Sequence, residues 1–571
     1  MTARTGADLL IDAIKASGVD CVFGMPGTQV VPIFESLRER QLRVVVPTHE
    51  LAAGFMAMGY ARASSPVRPG VVITIPGPGF TYALTPLAEA KLDGVPMIHV
   101  TLMPTKGPEG GPGFQAIDQA TMARPLVKEI IEVPDANGVT AGVERAMALA
   151  LAAPRGPVLL HLAARALGDL AGGTPGGGAV GPAFTEARSD WGDVLTSLRQ
   201  AERPVVLVTG DCDAAGLAAL AARDRVPVCV TPAARGAVPD DHLWGLCFDD
   251  QRTSLSTLNE FLGQTDALVV LGSQLSHVAT AGYELAIPEQ RMTWVRAAPG
   301  AGEGHYLGAR QVTGDPQDLL EAWRRDESGG PWRSQWTEAA LQEWRTRLAG
   351  ERVMALPEPK VRGVSGGSSA ALFAGFRQAL PRNAIVVTDS GMHQVLTRRY
   401  LDVFESGGLL LPSDFQSMGF GIPAGIGAQL AAPRRPVVAV VGDGGFAMTG
   451  FEMLTAVREG VSLVVVVFND GRLNLIRLQQ LREYGREHGV DVPEVDFEGF
   501  ARAAGLSYFE VDGDPARTMR EALDAGAPAL VEVRLGDSAA VFRTKVSRLA
   551  KQGVMRLLGP SLVKWLKGRF Q

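Results

Sequence analysis

Two short acidic turns, 27 residues apart in this 571-residue chain, have the residue types and spacing that point most directly to chemistry. Gly442-Asp443-Gly444-Gly445 closes one apolar run, and Phe468-Asn469-Asp470-Gly471 closes the next. A glycine turn between strand and helix lets backbone approach a ligand and aims N–H groups at an anion. Asp443 adds a hard oxygen. Parallel neighbouring strands would carry Asp470 to the same carboxyl edge, where open α/β sheets bind ligands. Oxygen donors from two strand ends beside a helix N-terminus suit Mg²⁺ holding a diphosphate. Read singly, both tripeptides are ordinary turns. Their spacing and their place after apolar strands favour a site.

The elements that must position these turns are visible as nine apolar runs separated by helical patterns. RVVVP (43–47), GVVITIP (70–76) and PMIHVTL (96–102) form one group. PVVLVTG (204–210), PVCVTP (227–232) and ALVVLGS (267–273) form a second, and AIVVTDS (384–390), PVVAVVGDG (436–444) and LVVVVFND (463–470) a third. Near-continuous apolar strands alternating with helices predict parallel sheets covered on both faces. The expected class is α/β, with three consecutive doubly wound domains at 1–168, 191–351 and 368–540. Gly- and Pro-rich stretches at 169–190 and 352–367 read as linkers. Residues 541–571 read as a basic amphipathic helical tail, with eight cations and no acidic residue.

Hydrophobic residues at 46% and charged residues at 20% fit a folded soluble protein, and a net charge of −6 argues against a general nucleic-acid binder. Cys21, Cys212, Cys229 and Cys247 show no C-x-x-C pairing, which suits a reducing compartment. The N-terminus reads as an amphipathic helix rather than a signal peptide, so the expected location is cytoplasmic.

Gly-Asp-Gly followed about thirty residues later by an Asn-containing pair is similar to the cofactor motif of thiamine-diphosphate enzymes. Resemblance to the acetolactate synthase group runs over residues 5–540, through GVDCVFGMPGTQVVPIFESL, PTHELAAGFMAMGYARAS, IPGPGFTYALTPLAEAKLDGVPMI and GGPGFQAIDQATMARPLVKE. It implies pyrimidine-binding, central and diphosphate-binding domains in that order. The Mg²⁺ ligands it implies are the side chains of Asp443 and Asp470 and the main-chain carbonyl of Arg472. Asp470 departs from the Asn usual at its place, and His393 or the helix N-terminus would offset the extra charge.

By the same resemblance Gly442, Gly444, Gly445, His393 and Leu473 contact the cofactor from the third domain. Gln416 offers it a carbonyl, and Met418 props its two rings. Gly27, Pro76 and Gly79 contact it from the first domain, while Thr28, Phe114 and Gln115 line the substrate side. Glu50, Gln115 and Met418 form the implied catalytic set. Glu50 has a reason to be a carboxyl: bonded to the pyrimidine ring nitrogen, it promotes the proton shift that makes the cofactor a nucleophile. Its bland reading is a first-turn acid in a helix capped by Thr48. A His after a strand is often only a structural hydrogen-bonder, and a buried Met is often only packing.

The implied reaction is decarboxylation of a 2-oxo acid with carboligation to a carbonyl acceptor. Gln479 stands where the group has a Trp that narrows the acceptor pocket. LGSQLSHVATAG lacks the Arg-bearing segment that helps hold FAD, which weighs against a flavin. The alternatives are a 2-hydroxyacyl-CoA lyase, a membrane-associated pyruvate oxidase or decarboxylase, and a non-catalytic scaffold. The resemblance also implies a homodimer or homotetramer with the site between subunits. The tail admits contact with an anionic membrane surface or folding over the protein's own body.

Overall fold

The structure, a computed structural model, describes residues 4–105, 111, 113–170, 190–210, 212, 216–273, 275–297, 305–326, 330–350 and 358–536. The tail at 541–571 lies outside them, as does most of the 169–190 stretch.

All nine apolar runs form strands, distributed over three sheets. The first sheet runs Arg43–Val45, Cys21–Gly24, Gly70–Ile73, Met97–Leu102, Pro157–Leu162, Ile130–Val133, parallel throughout. The second runs Arg310–Thr313, Met292–Arg296, Ala267–Leu271, Pro204–Val208, Val228–Val230, Gly245–Cys247, also parallel. The third runs Lys360–Val361, Ala529–Gly536, Leu463–Asn469, Val437–Gly442, Ile385–Thr388, Leu409–Leu410, with Ser507–Glu510 also pairing Ala529–Gly536.

Within the third sheet, only Lys360–Val361 pairs antiparallel among the described residues. The stretch read as a linker at 352–367 therefore ends as an edge strand followed by the turn Ser365–Gly367. A two-residue strand is too short to leave a periodic signal.

The strands are apolar on consecutive positions because both faces are covered. Phe23 packs into one core while its neighbour Val22 packs into the opposite one. In the third sheet, Val438 and Val440 face one core and Ala439 and Val441 the other. The core holding Phe23 and Val441 is continuous between the first and third domains. At its centre the helices Glu50–Ala63 and Gly421–Ala431 lie against each other. A Cβ on Gly59 would sit 2.0 Å from the Ala424 carbonyl oxygen, and one on Gly427 would sit 1.9 Å from that of Met56. Phe55 and Phe420 meet edge to face beside this crossing, 5.4 Å between centroids.

Candidate active site

The register between Val437–Gly442 and Leu463–Asn469 pairs Gly442 with Phe468, so both acidic turns leave the sheet side by side. Helix Asp443–Thr449 begins on the residue after the first strand. Asp443 is buried, and its Oδ1 accepts the Gly444 N–H at 2.7 Å. Its Oδ2 accepts the N–H groups of Asp470 at 3.1 Å and Gly471 at 2.6 Å. Asp470 accepts the Arg472 N–H at 3.1 Å, and the Arg472 carbonyl in turn accepts from Asn474 at 2.8 Å.

Burial pushes the Asp470 carboxyl up to about 7, with the neighbouring Asp443 charge adding to it. Burial also raises Asp443, against the pull of the N–H groups it accepts. Two desolvated carboxylates beside a main-chain carbonyl make a hard-oxygen set that fits Mg²⁺. Asn469 is turned away and donates to Glu532 Oε1 at 2.8 Å, so Asp470 is the polar group of that turn facing the site.

A cavity of about 110 Å³ lies against this pair, lined by His393, Met418, Gly442, Asp443, Gly444, Gly445, Asp470, Arg472 and Leu473, among others. Backbone closes in where glycine leaves room: a Cβ on Gly444 would meet Leu473 Cδ2 at 2.9 Å and Met418 Cε at 3.4 Å. A Cβ on Gly442 would meet His393 Nδ1 at 3.0 Å. His393 sits in the first turn of helix Met392–Tyr400, and its buried Nε2 has no partner among the described residues. Burial holds its pKa down at about 4, which keeps the ring neutral. An orphaned ring nitrogen, a glycine cradle and paired carboxylates all fit a metal-bound diphosphate.

Gln416 does not line this cavity. It takes a left-handed backbone, φ +59°, and its side chain accepts from Ser390 Oγ. Gln479 is exposed on helix Asn474–Tyr484, also outside the lining.

The first-domain residues gather separately. Glu50 opens helix Glu50–Ala63, but His49 caps it, accepting from the Leu51 N–H at 3.1 Å. Thr48, expected as the cap, instead gives its N–H and hydroxyl to Glu452 of the third domain. The Glu452 carboxylate competes successfully because it satisfies both Thr48 donors at once. Beside Glu50 lies the turn Pro76–Gly79: a Cβ on Gly79 would fall 3.1 Å from Glu50 Oε1. Gly77, φ +69°, brings its Cα against the Gln115 backbone, where a Cβ would meet the carbonyl oxygen at 2.6 Å.

Gln115, φ +59°, accepts at Oε1 from Gln29 Nε2 at 2.6 Å. Gly27 packs on Ile75 just before the turn Thr28–Val30, and Phe114 is 78% exposed. None of these first-domain residues lines the cavity at Asp443.

Sequence reasoning missed Asp389. Fully buried, it accepts from the Gly419 and Gly421 N–H groups and so fixes the turn that presents Met418. Burial pushes its carboxyl up to about 7. Its place at the end of an apolar strand, in TDSG, was the available signal.

Comparison with known proteins agrees with this architecture. Residues 4–122 match the family described as "Thiamine pyrophosphate enzyme, N-terminal TPP binding domain", 192–323 its central domain and 389–533 its C-terminal TPP binding domain. The chain is 27% identical to the acetolactate synthase isozyme 1 large subunit of Escherichia coli, over 94% of this chain and 95% of that one. It is 25% identical to an acetolactate synthase of Bacillus subtilis, over 93% of each. An acetolactate synthase large subunit of Lactococcus lactis is 26% identical over 94% of this chain and 93% of its own.

Proposed function

Because the chain belongs to the thiamine pyrophosphate enzymes and is acetolactate synthase-like through all three domains, we propose that it decarboxylates a 2-oxo acid and joins the remaining acyl unit to a carbonyl acceptor. The pair of buried Asp443 and half-buried Asp470, set side by side at two strand ends, carries this reading. When bound, thiamine diphosphate would supply a carbon nucleophile for the substrate carbonyl and a cationic ring to take up the electron pair left as CO₂ departs.

The chain's own residues have distinct tasks around it. Asp443, Asp470 and the Arg472 carbonyl would hold Mg²⁺, and the glycine turn before Asp443–Thr449 would offer backbone N–H groups to the diphosphate. Neutral His393 would stand beside the diphosphate, its buried Nε2 unpartnered among the described residues. Met418 excludes water from the ring side of the cavity. Glu50 would hold a proton at a pyrimidine nitrogen of the cofactor. Gln115, its Oε1 engaged by Gln29, has its amide N–H groups left for a substrate oxygen.

A second copy of the chain completes the site in this reading. The cavity at Asp443 has no first-domain residue in its lining. Met448 and Phe451 of the third domain and Tyr82 and Phe114 of the first are large apolar side chains left more than half exposed. Apolar surface of this kind is what a partner copy covers, so the proposed assembly is a homodimer or a dimer of dimers.

The test is a screen of 2-oxo acids with thiamine diphosphate and Mg²⁺, reading CO₂ and carboligated product. Pyruvate giving acetolactate supports the reading. Cleavage of a 2-hydroxyacyl-CoA instead moves it to the lyase, and no thiamine-dependent turnover overturns it. The relatives described above are all named acetolactate synthases, so neither the lyase, the oxidase nor a silent scaffold is favoured.

Cytoplasmic residence and contact of 541–571 with an anionic membrane surface remain proposals resting on sequence: eight cations, with Trp565 and Phe570 among apolar residues. No described helix is long and apolar enough to cross a membrane. Liposome co-sedimentation of the full chain against one ending at residue 540 tests the contact. Equal binding, or none in either form, discards it.

A further inference from the structure

Gln119 is a polar side chain with no exposed surface, and every polar atom of its amide is engaged. Its Oε1 accepts the Gly77 N–H at 2.7 Å, while its Nε2 donates to the Leu102 carbonyl at 2.8 Å and lies 3.0 Å from His161 Nε2. Burying an amide without partners is costly, so a fully satisfied one is held in a single orientation.

The orientation has a direct consequence for two distant stretches of chain. Gly77 belongs to the Pro76–Gly79 turn, which passes so close to Glu50 and Gln115 that a Cβ on Gly79 would fall 3.1 Å from Glu50 Oε1 and one on Gly77 2.6 Å from the Gln115 carbonyl oxygen. Gln119 itself follows Gln115 through a tight turn, with Ala116 N–H bonded to Gly113 O at 3.2 Å and Gln119 N–H to Ile117 O at 2.9 Å. One side chain therefore pins the loop carrying Gln115 to the turn buttressing Glu50. Gln115 sits at φ +59°, a left-handed conformation that a residue with a side chain keeps only where its surroundings enforce it, while Gly77 takes its φ of +69° freely as a glycine.

We propose that Gln119 is the positioning residue of this site, holding Glu50 and Gln115 in one fixed relation through its bond to the Gly77 N–H. The inference rests on the cofactor reading given above and adds a residue to it. Gln119 touches no reacting atom; it acts through the turn. His161 supports it: burial keeps that ring below its ordinary pKa, and only the neutral ring can accept from the Gln119 amide.

The experiment compares the holoenzyme of wild type, Gln119→Met and Gln119→Glu. Met keeps length and apolar volume but cannot accept the Gly77 N–H, whereas Glu keeps the acceptor. The expected result for Gln119→Met is a fall in kcat of about tenfold or more, with little change in substrate KM. Gln119→Glu keeps the acceptor for the Gly77 N–H but sets its second oxygen against the Leu102 carbonyl, so its kcat should lie between those of Gln119→Met and wild type. In a Gln115→Ala background the Met substitution should cost far less, because the group it positions is gone.

A Gln119→Met enzyme that melts lower yet turns over at the wild-type rate overturns the proposal. Where Gln119→Met does not fold, Gln119→Asn serves in its place. Its shorter amide draws back from Gly77, and unchanged kcat overturns the proposal equally. Wild-type protein that takes up no thiamine diphosphate in calorimetry would instead sink the cofactor reading itself.

Discussion

The carboxylate of Asp443 accepts the backbone N–H groups of both Asp470, at 3.1 Å, and Gly471, at 2.6 Å, binding together two turns that are 27 residues apart in sequence. The first acidic group thus supplies an oxygen to the site and also fixes where the second one lies.

Removing Asp443 should therefore cost more than one ligand. Asp443→Ala is expected to weaken Mg²⁺ in the presence of thiamine diphosphate by at least about 100-fold, the upper end for lost outer-shell partners. Asp470→Asn keeps an oxygen donor and removes a buried charge, so it should stay within about tenfold of wild type. Calorimetric Mg²⁺ titration of both variants checks the ordering; equal losses would show that the Asp443 tether carries no weight.

Glu50→Gln separates chemistry from folding. Gln has the shape of Glu, and the helix is capped by His49 rather than by Glu50. The variant should lose about 10²- to 10⁴-fold in kcat, the range for removed acid–base groups, while melting within a degree or two of wild type. Initial rates and calorimetry check this. Retained turnover would remove Glu50 from the mechanism.

The acidic pair was legible in the sequence because two signals agreed. Each turn follows an apolar strand, and a 27-residue step is the length of one parallel crossover. The fold class was legible for the same reason: strands such as VVAVV are apolar at every position only when both faces are covered. What stayed hidden depends on partners remote in the chain. Thr48 reads as a local cap until Glu452, 404 residues away, takes its donors. Lys360–Val361 reads as linker until the edge of Ala529–Gly536 reaches it. Asp389 and Gln119 are single polar residues whose function lies in backbone N–H groups elsewhere, which no spacing rule records.

The Gly59–Gly427 crossing admits a stability prediction. A methyl at Gly59 would lie 2.0 Å from the Ala424 carbonyl, a backbone atom that a rotamer change cannot clear. Gly59→Ala should force the first- and third-domain helices apart at a cost of about 1–3 kcal/mol or more. Urea denaturation measures it, with Gly18→Ala unsuited as a control because its φ is +82°. Gly263→Ala, in open space at a helix end, is the appropriate comparison and should be nearly neutral. Matching losses at Gly59 and Gly263 would contradict the close approach.

Buried histidine should shape the acid limb of stability. His99 has no exposed surface, stacks on Phe80 at 5.5 Å and lies 2.8 Å from Thr74 Oγ1 through Nε2. Burial, then the nearby His161, holds its pKa down at about 3. The unfolded chain titrates near the ordinary value of about 6.5, so it binds a proton that the folded chain refuses. Stability from the neutral ring is complete above about pH 6.5 and is lost progressively as pH falls toward 3, by on the order of 4 kcal/mol at the acid extreme. His99→Phe keeps a ring against Phe80 and deletes the titration. At pH 7.5 it should cost about 1 kcal/mol for the lost Thr74 bond. Between pH 6.5 and 3 its stability should then decline less steeply than wild type, leaving the contributions of the other buried histidines, His393 and His161 among them. Denaturation curves across that range decide the matter, since two parallel profiles would mean that His99 is not the group the native core keeps uncharged.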